Sequence, residues 1–406
     1  MSEATGEQFG PAINISPTPK TEKKLIYPYQ ELKEHLGPQK YEAVIVFGEG
    51  PVKRVIFSDE LTPEQKQQWD ESNKNPRAQK ELNFRVVDYK TRGLTPDAKD
   101  REELRANLEQ MGRFSYKRYG ELNALAAGLV LYTGKTDRII LSGGRTTPED
   151  KIKQGLGFPS EAELMRDLII KIYGRKMYER DYPENIPAVA FEEYKKTKLK
   201  DCFIIEDSAT NTIDNIIRSI NHAPETFFNK VTAPEIGLLG NDHQVERTAQ
   251  LLKLFTGNEK GAHPISAQRD VLMPFASFRN KSGKKGFFPE LLRYMTGEPT
   301  NADLQEKTRG EAVGREKLKK PEDMFWWLGY VGHSDVPEVF NVIMTKLKQP
   351  EWRLYAKKGF ELLGLDFEHF AAVDFAKKPN EMIQMKVGFE KILADGGVLR
   401  KQKLVI

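Results

Sequence analysis

The chain has 406 residues, enough for more than one domain, and its 39% apolar and 30% charged fractions are those of an ordinary globular protein. A net charge of +4 over this length is too weak to argue for nucleic acid as a partner, and the single cysteine, Cys202, excludes an internal disulfide framework and fits a reducing compartment. The opening MSEATGEQFGPAINISPTPKTEKK has no apolar core of the signal-peptide kind, and the longest nearly apolar stretch, ALAAGLVLY (124–132), is too short to cross a bilayer; a cytoplasmic protein with no membrane partner is expected.

Residues 1–24 are polar and rich in Pro, Thr and Lys, and are expected to be disordered. AVIVFGEG (43–50) is the first short β-branched run that ends abruptly in small or polar residues; RIILSGGRT (138–146), CFIIEDSATNT (202–212) and IGLLGNDHQ (236–244) repeat the design. Short apolar runs bounded by turn chemistry read as strands buried on both faces, so the fold class is α/β with a parallel sheet, and Cys202 falls in its third strand. The hydrophilic insertion 51–115 holds KRVIF (53–57) and FRVVDY (84–89), expected to pair as a small hairpin, with a short helix between them. A helix over 116–134 ends at Gly134-Lys135. The next, PSEAELMRDLIIKIYG (159–174), starts with Ser160 and Glu163 in capping-box register and carries a stripe of Met165, Leu168, Ile169 and Ile172.

A second insertion, 175–200, reads as an irregular excursion. NTIDNIIRSINHA (211–223) is a helix with Ile213, Ile216, Ile217 and Ile220 on one face. The α/β domain is thus placed at 25–257, followed by a basic linker over 258–321 and a helical C-terminal region over 322–406. The linker contains RNKSGKKGFF (279–288), whose Lys281, Lys284 and Lys285 suit a solvated loop or a polyanion.

In open α/β sheets ligands bind beyond the carboxyl ends of the strands, where the four polar clusters lie. Glu206 to Asn215 joins a strand to a helix N-terminus, where backbone N–H groups favour an anion; Asn211 and Asn215 are one turn apart, and Asn211 serves equally as a plain cap. Ser142-Gly143-Gly144 allows backbone amides to approach a phosphate or ribose, or makes a tight turn. Gly48-Glu49-Gly50 is an incomplete dinucleotide fingerprint, because Lys53 stands where its third glycine belongs. Asp242, His243 and Arg247 close the fourth run, with His243 and Arg247 placed on one helical face, or with Asp242 as a cap beside a surface histidine. No Cys/His spacing for a metal is present.

Read in order, these clusters resemble the YdcF/SanA/ElyC-like family, a bacterial domain of unknown function. The resemblance rests on AVIVFGEG, RYGELNALAAGL with Arg118, RIILSGG, SEAELM with Glu161, Glu206 through Asn215, and GNDHQVERT, and spans roughly 41–256. Two departures stand out: there is no membrane anchor of the kind many relatives carry, and His243 stands four rather than three residues before Arg247. The resemblance implies a Rossmann-like domain with a polar pocket at the strand ends and a nucleotide-like ligand, S-adenosylmethionine among them.

The leading expectation is a cytoplasmic protein that binds a small anionic, nucleotide-like or phosphorylated ligand. Gly48, Gly50, Arg118, Ser142, Gly143, Gly144, Asn211, Thr212, Asn215 and Arg247 would hold it, and Glu206, Glu161, Asp242 or His243 would serve transfer or hydrolysis of a phosphorylated group. The alternatives are an S-adenosylmethionine-binding protein or methyltransferase-like sensor, and a non-enzymatic module docking a protein or nucleic acid.

Overall fold

Runs that are apolar on both faces need cover on both sides. The computed structural model, which describes residues 28–48, 54–73, 84–87, 119–144, 160–182, 188–209, 211–228, 233–281, 301–394 and 397–405, shows how they get it. The strands in chain order are β1 (Ala43–Phe47), β2 (Arg54–Phe57), β3 (Phe84–Val87), β4 (Ile139–Ser142), β5 (Phe203–Glu206), β6 (Ile236–Gly240) and β7 (Ala262–Ser266). Five of them form one parallel sheet in the order β5-β4-β1-β6-β7. The fold is therefore α/β, Rossmann-like, with helices on both faces and a helical C-terminal region.

Strand alternation divides the core in two. Ala43, Ile45 and Phe47 point into one cluster with the Thr212–His222 and Val245–Thr256 helices. Val44 and Val46 point into the other, with the Tyr119–Tyr132 and Glu161–Asp181 helices. Thr212–His222 forms where the sequence places it: Asn211 caps it, and Ile213, Ile216, Ile217 and Ile220 are all buried. The Ser160/Glu163 capping box is also present, worth about 1 kcal/mol.

The C-terminal helices are a further layer on the first face, sharing its core. Trp327, on Phe325–Val331, is fully buried and meets Phe255 edge-on at 6.4 Å and Trp352 at 6.1 Å. Truncating such a side chain to alanine removes about 3–5 kcal/mol, so this layer is integral to the fold.

Several expectations need correction. The sheet does not end at residue 257: β7 lies within the stretch expected to be a linker. Its sequence AHPIS lacks a β-branched run, and Pro264 is tolerated because β7 is an edge strand. β2 and β3 pair parallel rather than as a hairpin, because the connection between them is a long crossover that carries the Pro63–Asn73 helix rather than a tight turn. The described part of the 175–200 excursion is largely helical: Glu161–Asp181 runs into it, and Ala188–Tyr194 follows with a π-helical turn at Lys195–Leu199.

Along Glu161–Asp181 the buried stripe is Met165, Ile169, Tyr173 and Met177, while Ile172 is exposed, since burial shifts by one face over a helix longer than expected. Cys202 precedes β5 in a turn, its thiol 3.2 Å from the Lys198 carbonyl. The 1–24 tail, Gly50, Arg118, Lys284 and Lys285 lie outside the described residues, as does the side chain of Lys281. Among the described residues no helix is long and apolar enough to cross a membrane.

Candidate functional site

The chain runs outward from β1 to β4 and β5, then returns to lay β6 on the other side of β1. At such a reversal the connections leave in opposite directions and open a crevice beyond the carboxyl ends of the strands. Buried polar side chains concentrate there: Asn123, Ser142, Glu161, Glu206, Asn215 and Asn241.

Ser142 and Glu206 end β4 and β5 side by side, in register. Ser142 Oγ lies 2.6 Å from Glu206 Oε2 and 3.1 Å from Asn215 Oδ1, while Glu206 Oε1 accepts from the backbone N–H groups of Ser208 at 2.8 Å and Ala209 at 3.0 Å. The hydroxyl has one proton and two acceptors beside it. Ser142 donates to Glu206 Oε2, the shorter of the two contacts. Desolvation pushes the Glu206 carboxyl above the usual range, outweighing the hydrogen bonds from Ser142 and Ser208.

Glu161, the first residue of its helix, is buried against β1 and β4. A Cβ on Gly48 would overlap its carboxylate, and one on Gly143 would stand 2.9 Å from its Cβ. A Cβ on Gly144 would overlap the Ala209 carbonyl oxygen. The glycines expected to cradle a ligand thus first make room for Glu161 and for the β5 loop.

Asn211 is a cap: its Oδ1 accepts from Ile213 and Asp214 N–H at 3.0 and 3.2 Å, and Tyr330 bonds the same side chain. Thr212 Oγ1 accepts from Arg247 Nη2 at 2.9 Å, and Arg247 Nε stands 2.8 Å from Glu311 Oε2. Burial pulls the Arg247 guanidinium below its ordinary value, against the pull of Glu311.

The structure brings Glu161, Glu206, Ser142 and Asn215 together and leaves Asp242 and His243 apart, beyond β1 at the end of β6. Asp242 is exposed and 3.9 Å from Arg269, and it is not a cap: Gln244 holds that position. His243 sits in the turn before the Val245–Thr256 helix, so it does not share a helical face with Arg247. Among the described residues no His, Cys, Asp or Glu cluster could hold a metal ion.

Family models, curated proteins and solved structures give no match to this chain.

Sequence reasoning missed Asn123, Gln244, Gln268, Tyr330 and Glu311. Asn123 had a signal: it is the one amide in the apolar helical run LNALAAGLVLY. The others depend on tertiary placement. Chemically, the site offers a buried carboxyl at Glu206 with a raised titration, a hydroxyl hydrogen-bonded to it, and a second buried carboxyl at Glu161. Ser142 has no imidazole beside it and is fully buried, so it is not an acyl-transfer nucleophile.

Proposed function

We propose that the crevice beyond β1, β4, β5 and β6 binds a small nucleotide-like or phosphorylated ligand. The observation that carries this reading is the gathering of buried carboxylates, a hydroxyl and amides at the strand ends where strand order reverses. The anionic end of the ligand is assigned to the amino end of the Thr212–His222 helix, where the dipole favours negative charge and Thr212 meets Arg247. Should turnover accompany binding, transfer or hydrolysis at a phosphorylated group is the class that fits. Glu161 or Glu206 would then serve as the base, both being buried at the crevice. The resemblance to the YdcF/SanA/ElyC-like family points the same way.

A second reading is favoured by one feature, the two buried carboxyl groups of Glu161, packed against the ends of β1 and β4, and Glu206, at the end of β5. Carboxylates attract a cationic or hydroxyl-bearing ligand, and S-adenosylmethionine is both.

The test is a thermal-shift panel with nucleotides, nucleotide sugars, prenyl diphosphates and S-adenosylmethionine. A ligand at a hundredfold excess over its Kd adds about 2.7 kcal/mol to the native state, an easily read shift. Asn215→Ala is expected to lose the shift while remaining folded; unchanged affinity in that variant sinks the site. Binding of S-adenosylmethionine alone selects the second reading.

A further inference from the structure

We infer that the part of the crevice between β1, β6 and β7 is an acceptor-lined subsite for the uncharged, hydroxyl-bearing portion of the ligand, its ribose or hexose. This rests on the reading that the strand-end crevice binds a nucleotide-like molecule.

Asn123 is fully buried, and its Nδ2 donates to the Phe47 carbonyl at 2.8 Å. A carbonyl only accepts, so the amide cannot be turned round, and Oδ1 is left buried with no partner. An apolar side chain in this Leu/Ala-rich helix would avoid that desolvation. Gln244 repeats the pattern at the end of β6. Its Oε1 is buried without a partner, 3.6 Å from where a Cβ on Gly240 would stand. The Phe47 ring is 3.4 Å from the same point, so Gln244 lies across the β1–β6 junction.

Gln268 is the third such amide. Its Nε2 donates to Asn241 Oδ1 at 2.9 Å, and its Oε1 is also buried and unpaired. It sits on a π-helical turn, Ala267–Leu272, that packs against the Asn123 helix. Single π turns inside or beside helices recur at functional sites.

The three amides lie at the ends of β1, β6 and β7, three adjacent strands on one side of the sheet. All three present neutral acceptors, which repel phosphate and select O–H donors. The polar halves of the crevice are therefore complementary: donors near Thr212 and Arg247 for the anionic end, acceptors near Asn123, Gln244 and Gln268 for the sugar.

The experiment titrates the full chain and its Gln244→Leu and Gln268→Leu variants calorimetrically with adenosine, ADP, UDP-glucose and inorganic pyrophosphate, and records Tm without ligand. The expected result is a loss of at least about tenfold in affinity for the three sugar-bearing probes, roughly the effect of one unmet hydrogen bond. Pyrophosphate affinity is unchanged, and the ligand-free Tm is equal to or above that of the parent. Sugar-bearing probes that bind parent and variants equally would overturn the subsite and leave the proposed function standing. If no probe binds the parent, the nucleotide-like reading fails. The subsite rests on that reading and falls with it, whereas a lower ligand-free Tm in the variants of a ligand-binding parent shows that the acceptors are satisfied within the fold and overturns the subsite alone.

Discussion

His333 Nδ1 donates to the Asp214 carboxylate at 2.7 Å, and through this contact the C-terminal helices hold the helix that frames the strand-end site. Asp214 is buried and also accepts from Arg218 Nε at 2.9 Å. Next to this pair, Asn221 Nδ2 donates to the His333 carbonyl at 2.8 Å, and Asn221 Oδ1 accepts from Asp335 N–H at 3.0 Å. One face of Thr212–His222 is thereby stitched to residues 333–335.

Asp214→Ala should destabilise the chain by about 3 kcal/mol, the low end for breaking a buried pair, because His333 and Arg218 are partly exposed and can turn to water. His333→Asn should be milder, about 1 kcal/mol, since Arg218 still serves the carboxylate. Urea unfolding of both variants measures this. Equal and small losses would show that the contact does not hold the two regions together.

The sheet was legible in the sequence to the extent that its strands are buried on both faces. β1, β4, β5 and β6 are uninterrupted apolar runs, and each ends where its turn chemistry begins. β7 was not legible: AHPIS carries His and Pro in place of an apolar run, and His263 turns to Glu235. In the site, position along the chain identified Ser142 and Glu206 at strand ends and Asn215 one turn beyond the cap of the helix that follows β5. It could not show that Arg247 is engaged by Glu311, because that partner is 64 residues away on a helix that composition assigned to a linker. Gln244 and Gln268 likewise gain meaning only from the strand order.

Glu206→Gln tests whether burial keeps a proton on this carboxyl. An amide in this position donates to Ser142 while its oxygen keeps the Ser208 and Ala209 N–H groups, so it mimics the protonated acid. The folded carboxyl titrates above its unfolded value, so the native state binds the extra proton. Its contribution to stability is complete below the unfolded value and is lost as pH rises through the folded one. Relative to the Glu206→Gln variant, the parent should therefore lose about 1.4 kcal/mol for each pH unit separating the two values. Denaturation of both proteins from pH 4 to 8 checks this, and parallel curves would refute a protonated Glu206.

Cys202 should be a poor nucleophile. Burial, with Asp137 and Asp181 nearby, pushes its thiol up to about 11, leaving roughly one part in a thousand as thiolate at pH 8. Alkylation by iodoacetamide at pH 8 should run far slower than with a free-cysteine peptide, and accelerate as pH approaches 10. A rate matching the peptide would show that the thiol is not shielded.

The glycines at the strand ends can be tested by what they make room for. Gly144→Ala drives a methyl into the Ala209 carbonyl, a backbone atom that cannot swing aside, and should destabilise by about 2–3 kcal/mol. Gly48→Ala meets only the tip of the Glu161 side chain, which can rotate away and leave the β1–β4 junction. Its penalty should be smaller, about 1 kcal/mol, and should largely vanish in a Glu161→Ala background, giving a coupling of about 1 kcal/mol in the double-mutant cycle. Ligand binding separates the two roles of Gly48. If Gly48 only accommodates Glu161, the Gly48→Ala and Glu161→Ala variants lose affinity together; if the backbone at 48 itself touches the ligand, Gly48→Ala loses more than Glu161→Ala, and the double variant does not recover it.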